Sequence, residues 1–293
     1  MVNVVFSLNR CIAQPLLVTI NSILIHSACP DVIRFHIVVP PGDRLFLTQL
    51  IKQVFETRKD QFVIREFTPP PFLKTYLDNK FKERRPDRIV SRYMQYARLF
   101  LKSIFPELTR VIYLDVDLIV LRNIEELYNF PVAFNSDHFL AAVPQNFPCL
   151  LYFSNPLRVW DEITRFKKTF NSGVLLTDLR FWHQDVYNHL RYYFDLDAHH
   201  NYRLFELGDE TVFNLIFKET YLPLPKAWNC CGYGNHPWVT RWMNQSPLEM
   251  KIIHWSGGHQ KPWQSPQVIF SDLWQSYIPR LRVNPSPDLA LTV

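Results

Sequence analysis

The sequence predicts an α/β protein with one Rossmann-like, mostly parallel sheet and flanking helices. Over residues 1–130, apolar runs of strand length alternate with segments whose apolar residues recur at helical spacing, and this alternation is typical of βαβ units. The 293 residues are 47% hydrophobic and 20% charged, which excludes a disordered or fibrous protein. No Gly/Ser linker divides the chain, so we expect a single domain over residues 1–293.

The first half begins with Val2–Leu8, an apolar run suited to a buried parallel strand. Apolar residues in 16–24 then recur at helical spacing, and Asp43 stands where it can cap a second helix. The other predicted elements of this half are strands at Phe35–Val39, Phe62–Phe67 and Val111–Leu114 and a helix at Tyr93–Phe105.

The second half is less regular, and residues 264–293 are expected to form a C-terminal tail. Its predicted elements are strands at Phe139–Val143 and Val174–Leu176 and helices at Phe181–Tyr193 and Asp209–Phe217.

The net charge and the glycine content exclude some classes of ligand and binding motif. Subtracting the 27 Asp and Glu from the 32 Lys and Arg gives a net charge of +5. This mildly basic balance favours anionic ligands or an acidic membrane surface and is too small to indicate nucleic acid. The seven glycines form neither GxGxxG nor a Walker A loop, which excludes a glycine-rich nucleotide loop. Gly42 belongs to an ordinary turn, whereas the other six glycines cluster beside polar residues, which indicates ligand-facing backbone or, for each one singly, turn geometry.

Cysteine usage and the absence of a leader-like start predict a cytoplasmic protein. The five cysteines are odd in number and include no CxxC pair, a pattern typical of free thiols in a reducing compartment.

The basic run 80–92 holds six basic and two acidic residues. It is a solvated face, a mobile lid over a phosphate-bearing ligand, or a peripheral contact with an anionic membrane.

Two aspartates follow the apolar strand Val111–Leu114. Ligands of open α/β sheets bind beyond the carboxyl ends of strands, and Asp115 and Asp117 face the same side of an extended segment. Two such carboxylates repel each other unless a cation lies between them, and oxygen ligands favour Mg²⁺ or Mn²⁺. The alternative is a strand end with two solvated aspartates.

A second polar cluster follows the apolar run 250–253. His254 could complete a mixed oxygen and nitrogen ligand set, which favours Mn²⁺ over Mg²⁺. Gly257 and Gly258 allow backbone N–H groups to approach a phosphate closely, and Lys261 could neutralise that phosphate. The alternative is a solvent-exposed turn.

Three further residues have a functional and a structural interpretation. Asp209 and Glu210 stand at the start of a predicted helix. Acidic residues are common there because they complement the helix dipole; the functional alternative is that the pair faces a sugar. Arg98 lies on an otherwise apolar helix face, where it extends to solvent, pairs with a carboxylate, or binds a pyrophosphate or sugar.

Six sequence blocks follow one another along the chain: FSLN, YARL, VIYLDVDLIV, FNSGVLLTDLRFW, LGDETVFN and HWSGGHQKPW. In this order they resemble glycosyltransferase family 8, the retaining sugar-nucleotide transferases that include glycogenin and bacterial galactosyltransferases. The resemblance spans residues 2–263. It implies a GT-A fold in which residues 1–130 form the nucleotide-binding half and residues 131–263 the acceptor and metal half.

The resemblance also implies an activity and a set of site residues. It implies transfer of a hexose-type sugar from a UDP-sugar to a glycan, glycolipid or protein hydroxyl, with Mn²⁺, or Mg²⁺ as the alternative, and with no nucleic acid as partner. The implied metal ligands are Asp115, Asp117 and His254; the implied donor contacts are Ser7, Asn9, Arg98, Asn171, Gly257, Gly258 and Lys261; and the implied catalytic pair is Asp209 and Glu210.

The sequence departs from the family pattern at three places. Asn9 stands where the family usually has Asp, and Glu210 replaces the usual Gln beside Asp209. The spacing from His254 to Lys261 is one residue longer than usual. A carboxylate at Glu210 could act as a nucleophile, stabilise an oxocarbenium-like state, or only accept hydrogen bonds.

Two other functions stay open from the residues alone. One is a haloacid-dehalogenase-type phosphatase, whose signature also places DxD after an apolar strand. The other is a non-catalytic protein of the same fold that binds UDP or carbohydrate. The sugar, the acceptor and the oligomeric state do not follow from the sequence.

Overall fold

The computed structural model describes residues 1–82, 85–166, 168–238, 240 and 249–280. Strands and helices alternate through its first half, as the periodicity predicts. The strands are β1 (Val2–Ser7), β2 (Ile33–Val39), β3 (Phe62–Glu66), β4 (Arg110–Leu114), β5 (Leu118–Val120), β6 (Leu140–Gln145), β7 (Thr169–Asp178), β8 (Leu222–Pro223) and β9 (Ile252–His254). The helices are α1 (Ala13–His26), α2 (Arg44–Val54), α3 (Pro71–Lys80), α4 (Pro86–Ala97), α5 (Leu101–Ile104), α6 (Ile124–Tyr128), α7 (Trp160–Ile163), α8 (Gln184–His199), α9 (Asp209–Phe217) and α10 (Ser271–Ser276).

Seven strands form one central sheet in the order β3-β2-β1-β4-β7-β6-β8. The pairs β3–β2, β2–β1, β1–β4 and β6–β8 are parallel, whereas β7 runs antiparallel to both β4 and β6. The predicted α/β class with a mostly parallel sheet is therefore confirmed. Strands from before and after residue 130 share this one sheet.

Side chains of successive strand residues enter two different cores, because they point to opposite faces of the sheet. Val4 packs with α1, α2 and α6 on one face, while Val5 packs with α3, α4, α8 and α9 on the other. The sheet is thus covered on both faces, which explains the nearly continuous apolar runs in its parallel strands.

A separate two-stranded sheet pairs β5 with β9 in antiparallel register, so that Leu118 lies opposite His254. The buried hydroxyl of Thr19 on α1 donates to the carbonyl oxygens of Val116 and Leu118 at 2.9 and 2.7 Å. This short ribbon fixes residues from distant parts of the sequence beside the carboxyl end of β4.

Several helices begin or end at residues other than those predicted from the sequence. The helix predicted at Tyr93–Phe105 begins earlier, at Pro86, where proline suits the first helical turn, and it gives way to a 3₁₀ turn at Arg98–Phe100. Asp43 precedes α2 but does not cap it, because its Oδ2 accepts the backbone N–H of Arg10 at 2.8 Å.

The helix predicted at Phe181–Tyr193 begins later, at Gln184. The carboxylate of Asp178 caps a separate turn by accepting the backbone N–H of Arg180 at 3.0 Å, so the chain cannot enter the long helix until His183. In the predicted tail, α10 packs Trp274 into a third apolar cluster; residues 281–293 lie outside the described part.

All five cysteines are free thiols, as their number predicts. Among the described residues, no helix combines the length and apolarity that crossing a bilayer requires.

Candidate functional site

A cavity of about 1410 Å³ opens at the carboxyl end of β4, next to the β5–β9 ribbon. This is the edge of the sheet at which open α/β folds bind ligands. Ten of the twelve predicted site residues line it: Arg98, Asp115, Asp117, Asn171, Asp209, Glu210, His254, Gly257, Gly258 and Lys261.

The other two predicted donor contacts, Ser7 and Asn9, are not among the residues that line the cavity. The Ser7 hydroxyl donates to the carbonyl of Met94 at 2.8 Å, and the Asn9 amide donates to Ser91 Oγ at 2.8 Å. Both side chains therefore attach the end of β1 to α4, and their contact with a base stays a prediction.

Three side chains form a candidate metal centre on the cavity wall. Asp115, Asp117 and His254 each offer one ligand atom, and these atoms lie within 4.8 Å of one another. The imidazole Nε2 is 3.1 Å from Asp117 Oδ1 and 3.9 Å from Asp115 Oδ2. Two carboxylates and one imidazole are a ligand set that suits a divalent metal ion.

The backbone of Gly173 leaves the space that this centre requires. A Cβ atom at Gly173 would lie 2.3 Å from Cε1 of His254 and 2.6 Å from Oδ2 of Asp115. The neighbouring strand thus approaches the ligands closely only because it carries glycine at this position. Together with the ligand chemistry, this space shows that the residues present fit a divalent ion.

Arg98 is a buried cation beneath the same wall. Its Nη2 lies 2.9 Å from Asp115 Oδ1, its Nε lies 3.5 Å from Asp209 Oδ2, and its guanidinium stacks on Tyr113 at 4.6 Å. Burial alone would lower the pKa of Arg98, but Asp115 and its other neighbours raise it. The predicted pairing with a carboxylate is therefore realised, and Arg98 orients two carboxylates of the site.

Lys261 reaches the metal centre despite the longer spacing from His254. Its Nζ donates to Asp117 Oδ2 at 2.6 Å and to the carbonyl of Trp255 at 2.5 Å. Burial opposes ionisation of Asp117, but the charges and hydrogen bonds of Lys261 and His254 outweigh it and hold the pKa of Asp117 well below its usual range.

Asp209 and Glu210 differ in their surroundings although they are adjacent. Burial raises the pKa of both carboxyls, and that of Glu210 reaches about 6. Glu210 Oε1 accepts from Gln145 Nε2 at 3.1 Å and from the Tyr152 hydroxyl at 2.9 Å. Its Oε2 accepts from Asn171 Nδ2 at 2.7 Å. Glu210 is therefore a firmly held carboxylate beside the cavity.

Sequence reasoning missed the residues that support these groups. Asn229 lies between Asn171 and His254 and bonds to both, while Gln145 and Tyr152 hold Glu210. A single amide or phenol side chain belongs to no recognisable sequence pattern. For Asn229, the only available signal was the glycine cluster that follows it.

One part of the basic run 80–92 is neither solvated nor a lid. Lys80 Nζ forms a buried ion pair with Asp197 Oδ2 at 2.6 Å and donates to the carbonyls of Tyr202 and Phe205. A buried charge requires such partners. Lys82 and Arg92 line the cavity, while residues 83 and 84 lie outside the described part.

Sequence comparison identifies relatives over most of the chain. The model of glycosyl transferase family 8 matches residues 3–267. The probable galacturonosyltransferase-like 6 of Arabidopsis thaliana is 29% identical over 253 residues, which cover 83% of this chain and 69% of that protein. The probable galacturonosyltransferase-like 4 of the same plant is 26% identical, with 94% and 78% covered.

Solved structures with the same architecture include the galactosyltransferase LgtC in complex with donor and acceptor sugar analogs. That structure matches with a TM-score of 0.71 at 18% identity, and the match covers 97% of this chain and 98% of that chain. Mouse xyloside xylosyltransferase 1 has a TM-score of 0.60 at 17% identity, with 86% and 96% covered. None of these matches supports the phosphatase alternative. The resemblance drawn from the six sequence blocks is confirmed: the chain belongs to glycosyltransferase family 8 and is a glycosyltransferase of the GT-A fold.

Proposed function

We propose that this enzyme transfers a hexose-type sugar from a UDP-sugar, with retention at the anomeric carbon, to a hydroxyl of a glycan, glycolipid or protein. The observation that supports this best is the placement of Asp115, Asp117 and His254 in the wall of the same cavity that Glu210 lines. A diphosphate and a reacting sugar can therefore lie side by side in one cavity of about 1410 Å³.

Asp115, Asp117 and His254 would hold the divalent ion, with Mn²⁺ as our preferred identity and Mg²⁺ as the alternative. When bound, the ion offsets negative charge on the departing diphosphate. Arg98 and Gly173 prepare this position, since Arg98 orients Asp115 and Gly173 leaves space for the ligands.

The chain's own groups then bind and orient the donor. Lys261 supplies a positive charge to the diphosphate, and the backbone N–H groups of Gly257 and Gly258 stabilise the same leaving group. Asp209 and Asn171 orient the sugar for attack. We place the acceptor hydroxyl on the leaving-group face, where its proton passes to the departing phosphate.

Glu210 is ionised above pH 6, and its carboxylate stabilises the positive charge that develops at the anomeric carbon. Double displacement through Glu210 is the alternative route. The names of the plant relatives and of LgtC refer to galacturonosyl and galactosyl transfer, so UDP-galactose and UDP-galacturonate are the first donors to test.

Calorimetric titration with UDP tests the donor site. We expect the wild type to bind UDP tightly with Mn²⁺ and weakly with EDTA, and Asp117→Asn to lose the metal-dependent part. Asp195→Asn, an exposed change on α8, is the matched control and should bind as the wild type does.

Donor turnover is then followed as UDP release with a panel of acceptors. No UDP binding with or without Mn²⁺ contradicts the proposed donor. Binding without turnover of any donor and acceptor contradicts the proposed transfer and favours a binding protein of the same fold.

A further inference from the structure

Three hydrogen bonds connect Glu210 with the candidate metal centre through two side-chain amides. Asn171 Nδ2 donates to Glu210 Oε2 at 2.7 Å. Asn229 Nδ2 donates to Asn171 Oδ1 at 3.0 Å, and Asn229 Oδ1 lies 3.0 Å from His254 Nδ1. The carboxylate beside the reacting sugar and the imidazole of the metal centre are thus two ends of one chain of hydrogen bonds.

The direction of this chain is fixed by a backbone group at Asn171. The N–H of Gly173, which can only donate, lies 3.1 Å from Asn171 Oδ1. That oxygen must therefore accept, so the amide nitrogen of Asn171 faces Glu210 and the amide nitrogen of Asn229 faces Asn171. The oxygen of Asn229 consequently faces His254.

An amide oxygen cannot donate, so Nδ1 of His254 must carry the proton that it shares with Asn229. In a neutral imidazole the other nitrogen then presents a lone pair. Here that nitrogen is Nε2, which shares a proton with Asp117 Oδ1 at 3.1 Å in the metal-free site; a bound cation would take the place of this proton. The hydrogen bond to Asn229 thereby selects the tautomer that can ligate a metal.

We propose that Asn229 is a positioning residue: it holds His254 in the metal-ligating tautomer and, through Asn171, holds the carboxylate of Glu210 in place. This inference rests on the proposed metal-dependent function. Asn229 and His254 are 2% and 1% exposed, so water does not compete for either hydrogen bond.

Two substitutions separate the two hydrogen bonds of Asn229. Asn229→Asp keeps an oxygen that accepts from His254 but has no hydrogen to donate to Asn171. Asn229→Leu has a similar size and removes both bonds. Gln61→Leu is the matched control for the loss of a buried amide, since Gln61 donates to the carbonyls of Pro30 and Ile33 and accepts from Arg58, away from the cavity.

Mn²⁺ affinity, measured by calorimetry on the full chain without substrate, tests the bond to His254. We expect Asn229→Leu to lose about 10- to 100-fold, the usual effect of removing a hydrogen-bond partner of a ligating histidine. Asn229→Asp should keep the wild-type affinity within about threefold or bind more tightly. Its kcat should nevertheless fall by about tenfold, because Asn171 loses the donor that fixes its amide.

Nitrogen NMR of the metal-free protein gives a second readout that does not depend on activity. The His254 signals, identified by their loss in His254→Gln, should show a proton on Nδ1 in the wild type and in Asn229→Asp. Asn229→Leu should show a proton on Nε2 or a mixture of tautomers.

Failure of the proposed function and failure of the positioning role of Asn229 give different results. If the wild type binds neither Mn²⁺ nor UDP, the proposed function fails, whereas the tautomer measurement still tests Asn229. If the wild type binds Mn²⁺ and folded Asn229→Leu binds it equally well with an unchanged tautomer, the positioning role is overturned. Equal losses of Mn²⁺ affinity in Asn229→Leu and Gln61→Leu would also overturn it, because the effect would then be one of folding.

Discussion

The ammonium of Lys261 lies 2.6 Å from Asp117 Oδ2, on the carboxylate whose other oxygen faces His254. Lys261 therefore places a positive charge beside a proposed metal ligand. With a diphosphate in the cavity the same charge is favourable, because it then has an anionic partner. A change at Lys261 should accordingly have opposite effects on the metal and on the nucleotide.

We expect Lys261→Met to raise the affinity for Mn²⁺ alone by about tenfold, since a like charge near the ion is removed. The affinity for UDP in the presence of Mn²⁺ should fall by about tenfold, since a charge-assisted hydrogen bond is lost. Calorimetric titrations of each ligand measure both, with the exposed Lys74→Met as control. A change of the same sign for both ligands would refute this dual role.

Glu210→Gln should lower kcat by about 100-fold, the order seen when one electrostatic contact to a transition state is removed. The wild-type rate should also fall as the pH drops through about 6, because Glu210 takes up a proton there; in Glu210→Gln this limb should be absent. Initial rates between pH 5 and 8 measure both effects. Turnover close to that of the wild type would exclude a nucleophilic Glu210 and contradict the stabilising role.

Gly173→Ala should displace His254 or Asp115, because the added methyl group would lie 2.3 and 2.6 Å from their atoms. We expect Mn²⁺ affinity to fall by at least about tenfold, measured by calorimetry. Gly258→Ala is the control for folding, since its methyl group would have no atom within 4 Å. The free energy of unfolding of Gly258→Ala should match that of the wild type. Undiminished Mn²⁺ binding by Gly173→Ala would contradict the proposed geometry.

The stability of the fold should depend on pH through His36. Burial lowers the pKa of His36 from 6.5 to about 4; the charge of Glu107 opposes this shift, while Arg65 and Arg34 add to it. His36 Nε2 lies 3.1 Å from Asn3 Oδ1. The native state thus keeps the ring neutral, while the unfolded chain takes up a proton below about pH 6.5.

This difference should remove about 3 kcal/mol of stability as the pH falls from 7 towards 4. Urea unfolding at pH 7 and pH 4 measures the loss, and His36→Gln should show a smaller one. Glu210 has the opposite sign, because its raised pKa favours the native state at low pH, so only the difference between wild type and variant isolates His36. Equal losses in both proteins would count against this assignment.

The sequence predicted the parts of the site that have a local pattern. Asp115 and Asp117 follow four apolar residues, and such a run is recognisable as a buried strand. Their position at the strand's carboxyl end then followed from the behaviour of α/β sheets. The sheet was predicted in the same way, because apolar runs of strand length alternate with segments of helical spacing.

What the sequence did not predict depends on contacts between distant segments. The antiparallel direction of β7 has no local signal, because its ten residues are buried throughout and show no alternation. Asn229 is one amide among many, and its role follows only from its position between Asn171 and His254. Lys80 likewise belongs to a basic run, yet its partner Asp197 lies on another helix.

The pairing of β5 with β9 joins residues that the ribosome adds at different times. His254 follows Asp117 by 137 positions, so a polypeptide growing on the ribosome at about 5–20 residues per second carries both aspartates for roughly 7–27 s before the imidazole is added. A nascent chain stopped within that interval has the carboxylates but lacks the nitrogen ligand. Retention on a UDP column with Mn²⁺ should therefore separate completed translation products from those terminated before His254.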